Sequence, residues 1–316
     1  MIDFLIYGKI IIDDIRLDNG QIVRGILGGG GPQAALGARL WHESVGLLSR
    51  SGTDIEAQHV DMLKALDIDL QGWHKYTDIP TPKTRLVYDD NEYMVSETGS
   101  SILEMMVSTE EWYQLLAQPL TLPPDYGKPR LIHLITEFHD EPMVETALSL
   151  QKEGVIFALE PLIDFNTWRN RDEMMRLIPQ VDLVTPDWPS ASGIAGSDDP
   201  AEVMDYWSTL GPKLVAIRDG ARGSYVWDAI HGQSWHIPIV PVEVVDPTGA
   251  GNSYGGGLSI GWAEHGEARL AGCYGAISAK FLIEQPGPPK FSNALQKEAR
   301  RLLIEIQSAI KPLASG

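Results

Sequence analysis

Short apolar runs alternate along this chain with longer segments in which apolar residues recur at helical spacing. The short runs have the length of strands buried on both faces, and the longer segments have the period of helices that pack on a sheet. This alternation favours an α/β fold with a mostly parallel sheet. The predicted strands are Phe4 to Tyr7, Val45 to Ser49, Leu131 to Leu134, Val155 to Leu159, Leu183 to Thr185 and Leu214 to Ile217. The predicted helices are Pro32 to Trp41, Ile55 to Leu66, Thr109 to Ala117, Pro142 to Lys152, Pro200 to Leu210, Gly249 to Glu264, Glu267 to Ile283 and Asn293 to Ile310.

Two segments depart from this alternation. Residues 10–26 and residues 83–97 have the pattern of strands and hairpins, and a polar turn from Asp89 to Glu92 lies between alternating flanks of the second segment. We interpret both segments as a small β-lid inserted into the α/β body. The whole chain, residues 1–316, is predicted to be a single domain.

Composition limits the classes of partner. The chain has 316 residues, 43% of them hydrophobic, and a formal net charge of −18. That charge disfavours nucleic acid and anionic membrane surfaces as main partners. The N-terminal segment lacks a basic region followed by a long apolar stretch, so we expect a cytoplasmic protein. With one cysteine, Cys273, an internal disulfide is excluded.

The most informative motif is residues 246–252, Asp-Pro-Thr-Gly-Ala-Gly-Asn, followed by further glycines. Here a strand ends, a loop of small residues exposes backbone N–H groups, and a helix begins. The positive end of the helix dipole then points at the loop, which is the arrangement of an anion-binding turn.

This run resembles the C-terminal signature of the PfkB/ribokinase family of sugar and nucleoside kinases, which usually reads Asp-Thr-x-Gly-Ala-Gly-Asp. The resemblance implies that the amides of Gly249, Ala250 and Gly251 hold the charge that develops on the transferred phosphoryl group. In the family the final Asp takes the proton from the substrate hydroxyl. Here that position is Asn252, and an amide is not a base near neutral pH. The chain is similar to the maintenance-of-killer branch, which also carries Asn at this position.

In the N-terminal part of the chain, a strand, an aspartate and a glycine run before a helix follow one another in the same order as in the family. A glycine run begins at Gly28. Taken alone, it fits a flexible turn before a helix about as well as it fits a loop that approaches a ligand closely. The resemblance implies that Asp13, Gly28, Gly29 and Gln33 bind the substrate, with Gln33 where the family has Asn. Asp14 is an adjacent candidate, and acids of a surface turn are the alternative interpretation.

Two further elements concern the nucleotide and metal ions. Arg218, Gly220 and Gly223 resemble the nucleotide loop of the family, although a plain glycine hairpin has the same composition. Asp187 occupies the place of the family's Asn-x-x-Glu element, which organises Mg²⁺; it is equally suited to cap the short helix that follows. Asp246 and Thr248 fall where the family binds a monovalent cation such as K⁺, and the alternative for Asp246 is to fix the loop by accepting backbone amides.

The resemblance covers nearly the whole chain and implies a ribokinase-like three-layer α/β/α sandwich with ATP and Mg²⁺ as cofactors. The first functional hypothesis is phosphorylation of a hydroxyl on a small sugar or nucleoside, with Asp13 or Asp14 as candidate replacements for the missing base. The second is a catalytically impaired nucleotide- or metabolite-binding protein with a regulatory or assembly role. The exposed edge of the lid is compatible with a homodimer.

Overall fold

A computed structural model describes residues 2–17, 19–89, 94–96, 104–106 and 108–313. The strands are β1 (Phe4–Tyr7), β2 (Ile11–Arg16), β3 (Ile22–Gly28), β4 (Val45–Gly52), β5 (Trp73–Tyr76), β6 (Lys83–Val87), β7 (Glu104–Met105), β8 (Leu131–Thr136), β9 (Ile156–Pro161), β10 (Leu183–Val184), β11 (Leu214–Arg218), β12 (Ser224–Asp228), β13 (Gln233–Ile237) and β14 (Lys311–Pro312). The helices are α1 (Gly31–Arg39), α2 (Ala57–Lys64), α3 (Thr109–Leu116), α4 (Pro142–Lys152), α5 (Arg171–Leu177), α6 (Trp188–Ala195), α7 (Pro200–Ser208), α8 (Ala250–His265), α9 (Ala268–Ile283) and α10 (Asn293–Ile306).

The larger sheet joins ten of the described strands in the order β14-β13-β12-β11-β10-β9-β8-β1-β4-β5. From β5 to β11 all neighbours are parallel, whereas β11 to β14 pair antiparallel. In the interior of the sheet, Phe4 of β1 is in register with Val45 of β4 and with Leu131 of β8. The carboxyl ends of the parallel strands therefore lie along one edge of the sheet, where open α/β folds bind ligands.

Side chains of β1 alternate between two hydrophobic cores. Phe4 and Ile6 pack with residues of α1, α2, α8, α9 and α10 on one face of the sheet. Leu5 and Tyr7 pack with residues of α4, α5, α6 and α7 on the other face. Successive side chains of a strand point to opposite faces, so covering both faces requires the continuously apolar strands seen in the sequence. The fold is the expected ribokinase-like three-layer α/β/α sandwich with a mostly parallel sheet.

A smaller sheet has the order β3-β2-β6-β7 among the described strands. Its strand β2 pairs antiparallel with β3 and parallel with β6, so Asp13 lies in register with Ile26 on one side and Thr84 on the other. The register shifts between Asp13 and Ile15, as at a β-bulge. On the same side of the molecule, Ile11 of β2 packs against Trp112 of α3.

Element bounds follow the sequence pattern most closely where the local signals are strongest. Strand β1 and helix α4 have the predicted bounds, and α4 begins with a proline in its first turn. In the second segment of the small sheet, Tyr88 and Met94 form an antiparallel bridge, as expected for the flanks of a hairpin. The predicted turn residues after Asp89 lie outside the described residues. The last helix ends at Ile306 rather than Ile310.

The antiparallel end of the large sheet was not predicted. Strands β12 and β13 mix polar and apolar side chains, and β13 is partly exposed, so they lack the continuous apolar runs used to find the parallel strands. The elements that the sequence pattern does not predict are β5, β7, β12, β13, β14 and α5. Within the described ranges, no helix has both the length and the apolar character needed to cross a bilayer.

Candidate active site

A cavity of about 430 Å³ lies between the carboxyl edge of the large sheet, the small sheet and the start of α8. The ends of four parallel strands supply polar residues to it: Lys9 follows β1, Glu137 follows β8, Glu160 ends β9, and Arg218 ends β11. The small sheet contributes Asp13 from β2, and the start of α8 contributes Gly249 and Gly251. Parts of the chain that are distant in sequence therefore face one space.

Helix α8 begins at a turn of small residues. Gly249 is the N-cap residue with φ 79°, a left-handed conformation that favours glycine. A Cβ on Gly251 would lie 1.8 Å from Nη1 of Arg218, so this glycine leaves room for the guanidinium. The helix has no side-chain cap, and amides of a first helical turn lack intrahelical acceptors; of these, the amide of Ala250 donates to the carbonyl of Pro247, before the helix, at 3.2 Å. Residues Gly249, Ala250, Gly251 and Asn252 all line the cavity.

Asn252 is held by a buried carboxylate. Its Nδ2 donates to Oε1 of Glu160 at 2.8 Å, and Nη1 of Arg218 donates to the same oxygen at 2.8 Å. The other oxygen of Glu160 lies 3.3 Å from Nε2 of His133, whose Nδ1 lies 2.9 Å from the hydroxyl of Ser259. Burial alone would raise the pKa of Glu160, but the charge of Arg218 and the hydrogen bonds from His133 and Arg218 outweigh it. The pKa of Glu160 is therefore lowered, and this carboxylate is ionised at neutral pH.

Asp13, on the small sheet, also lines the cavity and lies near enough to Asp246 for the two carboxyl groups to interact. Its Oδ1 accepts a hydrogen bond of 2.5 Å from the hydroxyl of Thr84, and a Cβ on Gly28 would lie 1.7 Å from its Oδ2. Gly28 thus makes room for the carboxylate. Burial raises the pKa of Asp13 to about 7, and the hydrogen bond from Thr84 only partly offsets this. Asp14, in contrast, accepts from the amide of Gly25 at 3.0 Å and does not line the cavity.

Gln33 fixes the loop before α1. Its Oε1 accepts from the amide of Gly30 at 3.1 Å, and its Nε2 donates to the carbonyl of Leu27 at 3.2 Å. Gln33 lines the cavity together with Gly29 and Gly30. The oxygen and the nitrogen of the Gln33 side-chain amide therefore both bind the backbone of this loop and hold it in place.

Lys9 belongs to a buried group of charges behind Asp13. Its Nζ donates to Oε2 of Glu137 at 2.6 Å and lies 3.5 Å from Glu141, which in turn lies 3.6 Å from Arg50. Burial lowers the pKa of Lys9 and raises the pKa of Glu141 to about 8. Lys9 and Glu137 line the cavity and offer one donor and one acceptor next to each other.

The predicted nucleotide loop borders the same cavity. Residues Gly220 to Arg222 form a 3-10 turn after β11, and the cavity is lined there by Gly220 and Gly223 as well as by Arg218. The guanidinium of Arg222 instead makes two hydrogen bonds of 2.7 Å to Asp219. Helix α9 supplies an apolar wall beside this loop, made by Ala276, Ala279 and Ile283.

The three predicted metal residues have different surroundings. Asp187 lines the cavity and accepts from the amide of Ser190 at 2.9 Å, so it does cap α6. Asp246 accepts from the amide of Thr248 at 2.9 Å through Oδ1. Its Oδ2 and the hydroxyl oxygen of Thr248 are buried and lack a well-formed hydrogen bond among the described residues, and the hydroxyl lies close enough to Asp246 to offset part of the rise in pKa that burial causes there. Hard oxygens of this kind suit K⁺, so this pair fits the expected cation.

For Mg²⁺ the protein offers less. No group of three or more His, Cys, Asp or Glu side chains among the described residues is arranged to hold a metal. Asp187 at the edge of the cavity fits the usual manner of Mg²⁺ binding, in which one or two carboxylates act together with phosphate oxygens and water.

Sequence reasoning missed Glu160, Lys9 and Glu137. Each is a charged residue directly after, or at the end of, a buried strand, and the carboxyl ends of parallel strands form the ligand-binding edge of such sheets. That position was the available signal. Their partners could not be inferred, because Lys9 and Glu137 are 128 residues apart and Glu160 and Asn252 are 92 residues apart in sequence.

Known proteins share this architecture. A cytidine kinase of Thermococcus kodakarensis is 24% identical over 266 residues, covering 83% of this chain and 89% of the relative. An Escherichia coli protein assigned as ribokinase II, solved with ATP and Mg²⁺, is similar with a TM-score of 0.75 at 18% identity, covering 96% of this chain and 100% of the other. A double mutant of Vibrio cholerae fructokinase, with fructose, ADP and a potassium ion bound, has a TM-score of 0.72 at 18% identity and covers 96% of this chain and 98% of its own.

The family described as pfkB family carbohydrate kinase matches residues 1–293. This range includes the small sheet with Asp13, the strand ends that border the cavity and the glycine turn of α8. The chain therefore belongs to the pfkB family of carbohydrate kinases.

Proposed function

We propose that this protein transfers the γ-phosphoryl group of ATP to a hydroxyl of a small sugar- or nucleoside-like acceptor. The observation that carries the proposal is that one cavity contains both the amide turn of α8 and the buried carboxylate Asp13. Such a turn stabilises negative charge on a phosphoryl group, while a carboxylate orients acceptor hydroxyls. Phosphoryl transfer depends mainly on positioning and charge stabilisation, and this arrangement supplies both.

Within this proposal each part of the cavity has a role. The amides of Gly249, Ala250 and Gly251 receive the transferred group, and Arg218 neutralises part of its charge. The adenosine part of ATP lies along Gly220 and Gly223, against the apolar wall of α9. Mg²⁺, bound near Asp187 together with the phosphates, neutralises phosphate charge and orients the γ-phosphoryl group.

The acceptor binds at the end formed by Asp13, Gly29 and Gln33, with Gly28 giving Asp13 its place. We propose that the small sheet, as a β-lid, covers the acceptor and excludes water. Its strand β3 is at an edge of the described sheet and exposes Ile22, which supports lid-to-lid pairing in a homodimer. Size-exclusion chromatography with light scattering, comparing wild type with Ile22→Lys, tests that pairing.

The walls of the acceptor end favour a nucleoside over a free sugar. They include the apolar side chains Ile11, Leu86, Tyr88, Met94 and Trp112 from the small sheet, its following loop and α3. A flat base buries apolar surface against such walls, whereas a free sugar offers little. The cytidine kinase relative supports the same acceptor class. We expect Trp112→Ala to raise KM for the preferred nucleoside by about tenfold or more, since burial of an aromatic contact is lost.

The proposal is tested with purified protein, ATP, Mg²⁺ and K⁺ against a panel of nucleosides, pentoses and hexoses. ADP release that depends on the acceptor, together with a phosphorylated product detected by mass spectrometry, supports it. The competing function is nucleotide or metabolite binding without transfer, which Asn252 favours because it replaces the acid of the family. ATP binding by calorimetry with no product from any acceptor would select that function instead.

A further inference from the structure

The cavity contains an ionised carboxylate that touches Asn252. We propose that Glu160 is the proton acceptor of the phosphoryl transfer, so that the carboxylate lies across the cavity from position 252 rather than at it. This inference rests on the proposed kinase function. It assigns to β9 the group that the family otherwise carries on α8.

The contact itself is direct. Oε1 of Glu160 and Nδ2 of Asn252 are 2.8 Å apart, and both residues line the cavity. An acceptor hydroxyl placed beside Asn252 for attack at the α8 turn is therefore also beside Glu160. Because the amide donates through Nδ2, its Oδ1 remains an acceptor that can orient the same hydroxyl.

Helix α8 is shaped around this carboxylate and its cation. A Cβ at Gly255 would lie 2.6 Å from Oε2 of Glu160, and a Cβ at Gly251 would lie 1.8 Å from Nη1 of Arg218. These two glycines are one helical turn apart, on the same side of the helix. The helix thus leaves space for Glu160 and Arg218, and Asn252 in the same turn donates to the carboxylate oxygen that Arg218 also binds.

A purely structural ion pair accounts for only part of the arrangement. It explains why Arg218 and His133 contact Glu160, since a buried carboxylate requires partners. It gives no reason for the pair to border the cavity at the anion-binding turn. Asp13 is a weaker candidate base, because it accepts a hydrogen bond from Thr84 on the small sheet, whereas Glu160 is bound directly to Asn252.

The transfer forms one bond to phosphorus and breaks one. The acceptor oxygen forms a bond to the γ-phosphorus, and the bond from that phosphorus to the bridging oxygen breaks, so that ADP leaves. The hydroxyl proton passes to a carboxylate oxygen of Glu160 and then to water once product is released. In a loose transition state the proton is lost late, so a carboxylate of low basicity is sufficient.

Three variants test the assignment: Glu160→Gln, Asn252→Asp and the reciprocal double variant Glu160→Gln/Asn252→Asp. We expect Glu160→Gln to lower kcat by about 100-fold or more, with KM for ATP and acceptor within about threefold of wild type. The double variant exchanges carboxylate and amide across the same 2.8 Å contact. It should regain kcat to within about tenfold of wild type. Glu173→Gln is a matched control, because that carboxylate pairs with His139 away from the cavity and its loss should leave kcat unchanged.

The outcomes separate this inference from the proposed function. A merely structural Glu160 would give a raised KM for ATP in Glu160→Gln, and the second substitution would not rescue kcat. Either that result, or a Glu160→Gln variant with kcat near wild type, overturns the role of Glu160 while the kinase function stands. Absence of transfer by the wild-type protein with every acceptor overturns both.

Discussion

The side-chain amide of Asn252 donates a hydrogen bond of 2.8 Å to the carboxylate of Glu160. Position 252 therefore does not simply lack an acid, because an ionised carboxylate is in contact with it. Arg218 binds the same carboxylate oxygen and extends over Gly251, so the anion-binding turn, the cation and the carboxylate form one connected group. Asn252 is thus paired with an acid on strand β9.

The single variant Asn252→Asp should not gain activity. It would bring two carboxylates to about the 2.8 Å separation now seen between Asn252 and Glu160. Like charges at that distance raise the pKa of one carboxyl and compete for Arg218. We expect kcat at or below the wild-type value at neutral pH, measured by coupled ADP release. A clear gain in turnover would instead indicate that the wild-type protein lacks a base.

Gly251→Ala should impair transfer without unfolding the protein. The new methyl group would lie 1.8 Å from Nη1 of Arg218, and the end of a flexible side chain can move away. We expect kcat to fall by about tenfold or more as Arg218 leaves its position, with a melting temperature close to wild type.

Gly196→Ala is a control for Gly251→Ala, because it should change stability and not kcat. Gly196 ends α6 with φ 72° and has nothing within 4 Å of an added Cβ. This variant should lose about 1 kcal/mol of stability and keep its kcat. Equal kcat in the two glycine variants would contradict the assigned position of Arg218.

The stability contribution of Asp13 depends on pH. Burial raises its pKa from 3.8 to about 7 in the folded state, so folding favours the protonated form. This contribution is fully present below about pH 4 and is lost as pH rises to about 7. Asp13→Asn keeps an acceptor for Thr84 and removes the charge. The difference in free energy of unfolding between Asp13→Asn and wild type should therefore grow in favour of the variant as pH rises from about 4 to about 7. Urea unfolding at several pH values measures this difference.

The same variant should bind the acceptor less well, so that KM for the acceptor rises while KM for ATP does not change. A constant difference in unfolding free energy between Asp13→Asn and wild type from pH 4 to pH 7 would contradict the raised pKa. An unchanged KM for the acceptor would contradict the binding role of Asp13.

Activity should depend on a monovalent cation of suitable size. Oδ2 of Asp246 and the hydroxyl of Thr248 are buried and lack well-formed hydrogen bonds among the described residues, and K⁺ would satisfy both next to the α8 turn. Replacing K⁺ by tetramethylammonium should lower kcat by about tenfold and lower the melting temperature by a few degrees, roughly as expected for loss of a bound ligand. Thr248→Val should reduce this difference, and equal rates in both salts would argue against the site.

The sequence pattern predicts the parts of this molecule that are specified locally. The apolar run of β1, the proline start of α4 and the glycine turn before α8 are each encoded within a few residues, and the structure has these elements where they were expected. Strands β12 and β13 fail this criterion, because polar residues interrupt the apolar positions of both strands and β13 is partly exposed.

The charged groups of the cavity depend instead on strand order. Lys9 meets Glu137 only because β1 and β8 are parallel neighbours, and Glu160 meets Asn252 only because α8 crosses the end of β9. Neither relationship has a local signature in the sequence. The raised pKa of Asp13 likewise requires the packing of the small sheet around it.

The central claim, that this chain transfers phosphate with Glu160 and Asn252 as its active pair, is tested most directly by phosphorus NMR. Wild-type protein is incubated with ATP, Mg²⁺, K⁺ and a nucleoside such as cytidine, in parallel with Glu160→Gln and Glu160→Gln/Asn252→Asp. We predict a phosphomonoester signal that grows as the γ-phosphate signal disappears in the wild type, is lost in the single variant and returns in the double variant. No phosphomonoester with the wild type, across nucleosides and sugars, would contradict the account.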